Sequence, residues 1–123
     1  MDRTYAVAGA VFAFLAVAAG AFGAHALADR LTPKQLSTFE IAARYQMYHA
    51  LALFVVAWAL TRWPDAPSLI WAGRLFIGGI VIFAGTLYGI ALGGPGWLGA
   101  ITPIGGVLFL SGWACIAFAA WRG

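Results

Sequence analysis

Arg44, Tyr45, Gln46 and His49 crowd into six consecutive positions at the start of an apolar stretch. Guanidinium, phenol, amide and imidazole are the groups from which proton transfer, metal binding or recognition of a polar ligand can be assembled. On a helix, Glu40 and Arg44 are four apart in the acid-first order that favours an ion pair. Tyr45 and His49 are also four apart and lie about 100° round from that pair, and Gln46 and His49 are three apart. His25 near the end of the first apolar run, Thr86 and Tyr88 toward the end of the third, and Thr102 near the start of the fourth complete the polar set.

Four chemistries compete for these residues. They can tie helices and loops together, or bind a lipid headgroup, a quinone or a small polar ligand. They can also hold a metal through His25 and His49, or catalyse hydrolysis or group transfer. Two histidines without a nearby cysteine and without helical His-pair spacing argue poorly for a metal, so no metal site is assigned. Ser37 and Ser111 belong to no nucleophile motif, and the Gly93-Gly94-Pro95-Gly96 turn lacks the lysine of a phosphate-cradling loop. No catalytic residue, cofactor or enzymatic activity is therefore expected. The lone cysteine, Cys115, has no disulfide partner and reads as an inert thiol.

Four long apolar runs must position these groups, at about residues 5–28, 41–61, 69–92 and 97–121. Only seven Lys or Arg and four Asp or Glu interrupt 123 residues, 63% of the chain is hydrophobic, and the mean hydropathy is +0.91. A soluble domain of this size leaves too much surface in water to hide such a composition. A bilayer crossing needs about 20 apolar residues. The expected fold is an all-α membrane protein, a bundle of four transmembrane helices forming one integral membrane domain over residues 1–123. The first run is too long for a signal-peptide core and is expected to be retained.

Thr32 followed by Pro33 reads as an N-cap with proline at the first helical position. Leu36, Phe39 and Ala43 share a face, which predicts a short interfacial helix at about 33–40, between spans one and two. Trp63-Pro64 and Gly93-Gly94-Pro95-Gly96 stop spans two and three. Pro103 suits a first turn, so the fourth helix is expected to begin at Thr102. Trp63, Trp71, Trp97 and Trp121 fall near span ends, as interfacial aromatics do, whereas Trp58 and Trp113 lie deeper and read as packing or lipid contacts.

With four spans, Arg3, Arg62, Arg74 and Arg122 share one face, and Arg30, Lys34 and Arg44 share the other. The excess of positive charge places both termini in the cytoplasm. The same topology gathers His25, Glu40, Arg44, Tyr45, Gln46, His49, Tyr88 and Thr102 toward one end of the bundle. A net charge of +3 without a basic, aromatic-interleaved patch gives no reason to expect nucleic acid.

Helices in lipid associate through small residues. Gly85, Gly89 and Gly93 recur at four-residue spacing in span three. That groove serves either packing within the chain or an interface between copies. Membrane lipids are the expected surroundings, and a homo-oligomer or a larger membrane complex is the expected assembly.

Four ordered blocks carry a resemblance. They are Gly20-Ala-Phe-Gly-Ala-His25, Arg44-Tyr-Gln-Met-Tyr-His49, Phe83-Ala-Gly-Thr-Leu-Tyr88 and Ile101-Thr-Pro-Ile-Gly-Gly106. Together they resemble the small membrane family known as domain of unknown function 423, which includes bacterial YgdD-like proteins and eukaryotic transmembrane protein 256. The resemblance spans about residues 5 to 121, although Ala84 stands where a small polar residue is usual. It implies a four-helix integral membrane protein, at the inner membrane in bacteria, and supplies no catalytic residues. The function expected from these readings is a non-enzymatic structural or accessory component of a membrane complex or homo-oligomer. The alternative is a lipid-, quinone- or small-ligand-binding or transport module centred on His49.

Overall fold

A computed structural model describes residues 2–123, and every regular element among them is helical. The first rod consists of α1 (Asp2–Val17), a π-helical segment (Ala18–Gly23) and α2 (Ala24–Leu27). The second is α3 (Pro33–Arg62). The third is α4 (Pro67–Gly79), a second π-helical segment (Ile80–Ala84) and α5 (Gly85–Ala91), and the fourth is α6 (Leu98–Arg122). Arg3–Leu27, Pro67–Ala91 and Leu98–Arg122 are each 25 residues long and apolar enough to cross a membrane. At about 1.5 Å per residue each exceeds a hydrocarbon core of about 30 Å.

The predicted short helix at 33–40 is helical but is not a separate element. It forms the opening turns of α3, which continues unbroken for 30 residues. Nothing between Glu40 and Ile41 breaks the hydrogen-bond ladder, so the chain has no reason to turn there. The start is fixed as the sequence suggests. The Thr32 hydroxyl accepts from the Gln35 amide at 3.1 Å, and the Gln35 side chain accepts from the Thr32 amide at 2.9 Å. This reciprocal cap, with Pro33 at the first helical position, satisfies donors that a helix start leaves open.

At the other end of the third rod, Gly93 has φ +95°, a left-handed conformation that costs glycine nothing. The Gly93 amide donates to the Ile90 carbonyl at 3.1 Å and the Gly94 amide to the Gly89 carbonyl at 2.7 Å, the paired bonds of a glycine helix stop. Helix α6 then starts at Leu98, earlier than the Thr102 expected from Pro103. Proline's missing amide would have bonded the carbonyl of Gly99, an exposed residue in the first turn, so little is lost there.

Packing follows chain order. Helix α1 lies on α3, α3 lies on the third rod, and the third rod lies on α6. The centre is closed by Leu53 and Val56 of α3 with Leu69 and Phe76 of α4, all fully buried. Alanines at 42, 43, 50, 52 and 59 make α3 thin on its buried faces, which lets two neighbours approach it. The outer surfaces are apolar, with Phe14 74%, Phe22 73% and Leu110 71% exposed. Water would penalise such a surface, and lipid does not.

The tightest approaches are made at glycines. A Cβ on Gly105 would stand 2.5 Å from the Phe83 backbone nitrogen, and one on Gly9 would stand 2.8 Å from the Ala50 carbonyl. Gly79 and Gly112 receive the rings of Phe109 and Phe76, and Gly73 lies flat against the ring of Tyr5. Replacing Gly105 with Val should therefore push α6 off the third rod and destabilise the protein by about 1–3 kcal/mol. A Cβ on Gly106, by contrast, would meet nothing within 4 Å. Gly106→Ala should leave thermal unfolding in detergent unchanged or slightly improved, and the pair of melting curves checks both statements.

Candidate functional site

Two polar side chains on α3, Gln46 and His49, are only 5% exposed. Three residues apart on one helix, they point to different neighbours. The Gln46 amide nitrogen donates to the Phe12 carbonyl of α1 at 2.8 Å, and its oxygen accepts from the Tyr88 hydroxyl of α5 at 2.9 Å. A single amide thereby joins three rods. The Tyr88 ring meets Phe39 edge-on, with centroids 5.1 Å apart, and so holds the phenol against α3.

His49 turns toward α6. Its Nδ1 lies 2.8 Å from the Tyr45 carbonyl, and the Trp113 indole nitrogen donates to its Nε2 at 3.1 Å. A backbone carbonyl only accepts and an indole N–H only donates. The imidazole is therefore neutral, with its hydrogen on Nδ1. Its ring stacks on Phe109 of α6 with centroids 3.5 Å apart and 8° between planes, and Phe76 closes a further side at 5.5 Å.

Two further polar ties join the rods. The Thr86 and Thr102 hydroxyls lie 2.6 Å apart between α5 and α6. Thr86 also reaches the Ile82 carbonyl at 2.7 Å, and Thr102 the Leu98 carbonyl at 3.2 Å. At the opposite end of the bundle the Tyr5 hydroxyl donates to the Ile70 carbonyl at 2.9 Å, linking α1 to α4. Among the described residues, every buried side-chain nitrogen or oxygen has a partner.

The predicted polar cluster is thus divided. Tyr45, Gln46, His49, Tyr88 and Thr102 belong to interhelical contacts, with Tyr45 contributing its carbonyl to His49 and its ring to Phe83 at 5.1 Å. His25, Glu40 and Arg44 are exposed and stand apart from these contacts. The four-residue spacing of Glu40 and Arg44 permits an ion pair, but none forms among the described residues. Among those residues no group of three His, Cys, Asp or Glu is placed to hold a metal ion. Of the three glycines at four-residue spacing, Gly85 is exposed with nothing within 4 Å, Gly89 faces the tip of Leu98, and Gly93 is the helix stop.

Trp113 is the residue that sequence reasoning missed. A deep tryptophan reads as a packing or lipid contact, yet an indole donor far from water also needs an acceptor. His49, deep in another apolar run, was an acceptor in need of a donor, and that complementarity was the available signal.

Two grooves remain between rods that are not consecutive in the chain. One, of about 250 Å³, lies between the first and third rods, with Phe12, Ala19, Val81 and Gly85 as walls and Gln46 at its floor. Each π-helical segment contributes to it, Ala19 from the first and Val81 from the second. Such segments are frequent at functional sites. The other, of about 460 Å³, lies between α3 and α6 and is lined by Tyr45, Phe83, Pro103, Val107 and Trp113 beside His49.

Apolar rods held by internal polar ties define a small helical membrane protein. The profile of the family described as "Protein of unknown function (DUF423)" matches residues 19–106. A UPF0382 membrane protein of Staphylococcus epidermidis is 47% identical over 95% of this chain and 94% of its own length. The UPF0382 membrane protein YwdK of Bacillus subtilis is 43% identical over 96% of each chain. Another such protein, from Staphylococcus saprophyticus, is 42% identical over 98% of each. The chain belongs to the DUF423 family, and its relatives are bacterial membrane proteins. No solved structure matches it.

The Gln46–Tyr88 bond can be measured directly. Gln46→Leu and Tyr88→Phe should each destabilise the bundle in detergent, and the double variant should lose less than the sum. The coupling energy expected for an interhelical hydrogen bond in a membrane protein is about 0.6–2 kcal/mol. Strict additivity in the thermal or denaturant unfolding cycle would show that the bond contributes nothing.

Proposed function

We propose that the chain is a four-span protein of the bacterial inner membrane with both termini in the cytoplasm. In this reading it works without enzymatic chemistry, as a homo-oligomer or as an accessory subunit of a larger membrane complex. The observation that carries this is the complete internal pairing of the described buried polar side-chain atoms. The buried and half-buried groups that could have done chemistry, Gln46, His49, Tyr88 and Thr102 among them, are occupied in holding helices together.

Helix α3 supports the second crossing. It is long enough at 30 residues. Its two least lipid-compatible interior groups, Gln46 and His49, are buried among the other rods, while Leu51, Phe54, Val55 and Trp58 face outward. The exposed Lys34, Ser37 and Glu40 in its opening turns suit the interfacial role read for 33–40. Four arginines on the terminal side against three cations on the other favour the cytoplasmic orientation.

The assembly reading rests on Gly85. It is exposed, lies on the groove between the first and third rods, and meets nothing of its own chain. A larger side chain there would be tolerated by one copy and would intrude on a neighbour seated in the groove. A second reading, a lipid-, quinone- or small-ligand-binding module, is favoured by the aromatic groove beside His49.

Tagged protein purified from native membranes in mild detergent and examined by native mass spectrometry separates these readings. A homo-oligomer or a stoichiometric complex supports the first, whereas a lone monomer carrying a bound small molecule supports the second. Gly85→Leu should then lower the native mass by releasing the partner, with its melting temperature as a monomer unchanged. An unaltered assembly would remove this groove as the interface.

A further inference from the structure

A third cavity, of about 390 Å³, lies at the end of the bundle that carries both termini. The α3–α4 loop and the first turn of α4 form one wall through Trp63, Asp65 and Ser68, and the last turns of α6 form the other through Phe118 and Arg122. The loop is held in shape by its backbone. The Trp63 amide donates to the Ala59 carbonyl at 2.8 Å, the Ala66 amide to the Trp63 carbonyl at 3.2 Å, and the Leu69 amide to the Ala66 carbonyl at 3.1 Å. Prolines at 64 and 67 restrict it further. Asp65 therefore stands on a fixed wall.

Arg122 is steadied on the opposite wall, with its guanidinium 5.6 Å from the centroid of Phe118. Arg62 and Arg74 are placed in the same way over Trp63 at 5.9 Å and Trp71 at 5.2 Å. All three cation–aromatic contacts among the described residues belong to this end. Only Arg122, with Asp65 opposite, lines the cavity itself. No ion pair joins these two, so one positive and one negative side chain face the same space unneutralised by each other.

We infer that this cavity seats the headgroup of an aminophospholipid, a phosphate ester carrying a primary ammonium. The guanidinium of Arg122 is a fork donor suited to phosphate oxygens. The Asp65 carboxylate is an acceptor suited to the three N–H donors of an ammonium. The Ser68 hydroxyl offers a further contact from the cavity wall. A purely anionic headgroup would meet Arg122 favourably but would set its own charge against Asp65. A choline headgroup would place methyl groups where the carboxylate seeks N–H donors. The apolar surface beside the cavity, at Phe118 and Trp121, is exposed and available to acyl chains. The chemistry complements a zwitterion whose two charges sit close together.

The inference rests on the four-span reading, which sets this end at headgroup level. The test uses the full chain in nanodiscs of mixed phosphatidylethanolamine, phosphatidylglycerol and phosphatidylcholine, followed by native mass spectrometry of the lipids retained. Phosphatidylethanolamine should be retained several-fold over the other two. Asp65→Asn, a near-isosteric change at an exposed position, should bring the ethanolamine-to-choline ratio down toward one. Arg122→Gln should lower retention of all three. Equal retention by the unaltered protein, a preference for phosphatidylglycerol, or a ratio unmoved by Asp65→Asn would overturn the proposal. Retention unmoved by Arg122→Gln would do the same. Cysteine labelling at residues 29–31 and in the 63–66 loop, on either side of α3, reports separately on topology. Labels on the same side of the membrane would defeat the four-span reading, whereas labels on opposite sides with unselective lipids defeat only the headgroup assignment.

Discussion

Removing an amide and an imidazole from water is costly unless each finds a partner, and on α3 this cost organises the whole bundle. Gln46 and His49 are three residues apart and nearly completely buried. They cannot both be satisfied by one neighbour, because their tips diverge. Gln46 is answered by Phe12 of the first rod and Tyr88 of the third, and His49 by Trp113 of the fourth. Each of the other rods is thereby bonded to α3 by at least one side-chain contact. The least apolar of the long helices is the one bonded to all the rest, since its two buried polar side chains draw partners from each of them.

Small residues make that arrangement possible. Interhelical hydrogen bonds require backbones to come close, and the approach is closest where Gly105 meets Phe83 and Gly9 meets Ala50. The stack of Phe109 on His49 likewise depends on Gly79 leaving room for the phenylalanine ring. Polar ties and glycine gaps are one device. The ties choose which helices meet, and the glycines set how near they come. What remains open is the pair of grooves between rods that are not chain neighbours, together with the cavity at the terminal end. In a molecule whose interior polar groups are spent on its own fold, surfaces of that kind are where other molecules can act.

Much of the fold was legible because its signals are local. The four apolar runs, the Thr32–Pro33 start and the Gly93-Gly94 stop are set by composition and by hydrogen bonds within a few residues. The importance of Gln46 and His49 was also visible, since polar groups deep in an apolar run must be satisfied somewhere. Their partners were not legible. Phe12 contributes a backbone carbonyl that any residue would supply, and Trp113 carries no mark of its role except an unspent N–H. The glycines show the same limit from the other side. Regular spacing drew attention to Gly85, Gly89 and Gly93, whereas Gly73 and Gly79, which receive aromatic rings, follow no such stripe. Spacing reports which residues share a face, and only tertiary structure reports what stands opposite. The two π-helical segments, whose residues line the first groove, likewise had no local signature.

The central claim is that a neutral His49 links α3 to α6 by accepting from Trp113. Solution NMR of the protein labelled with ¹⁵N at histidine and tryptophan tests it most directly. The account predicts a pyrrole-type Nδ1, a pyridine-type Nε2, and a hydrogen-bond coupling between Nε2 and the Trp113 indole proton. A hydrogen on Nε2, as the other tautomer or as an imidazolium, would contradict it, as would an indole proton that exchanges freely with solvent.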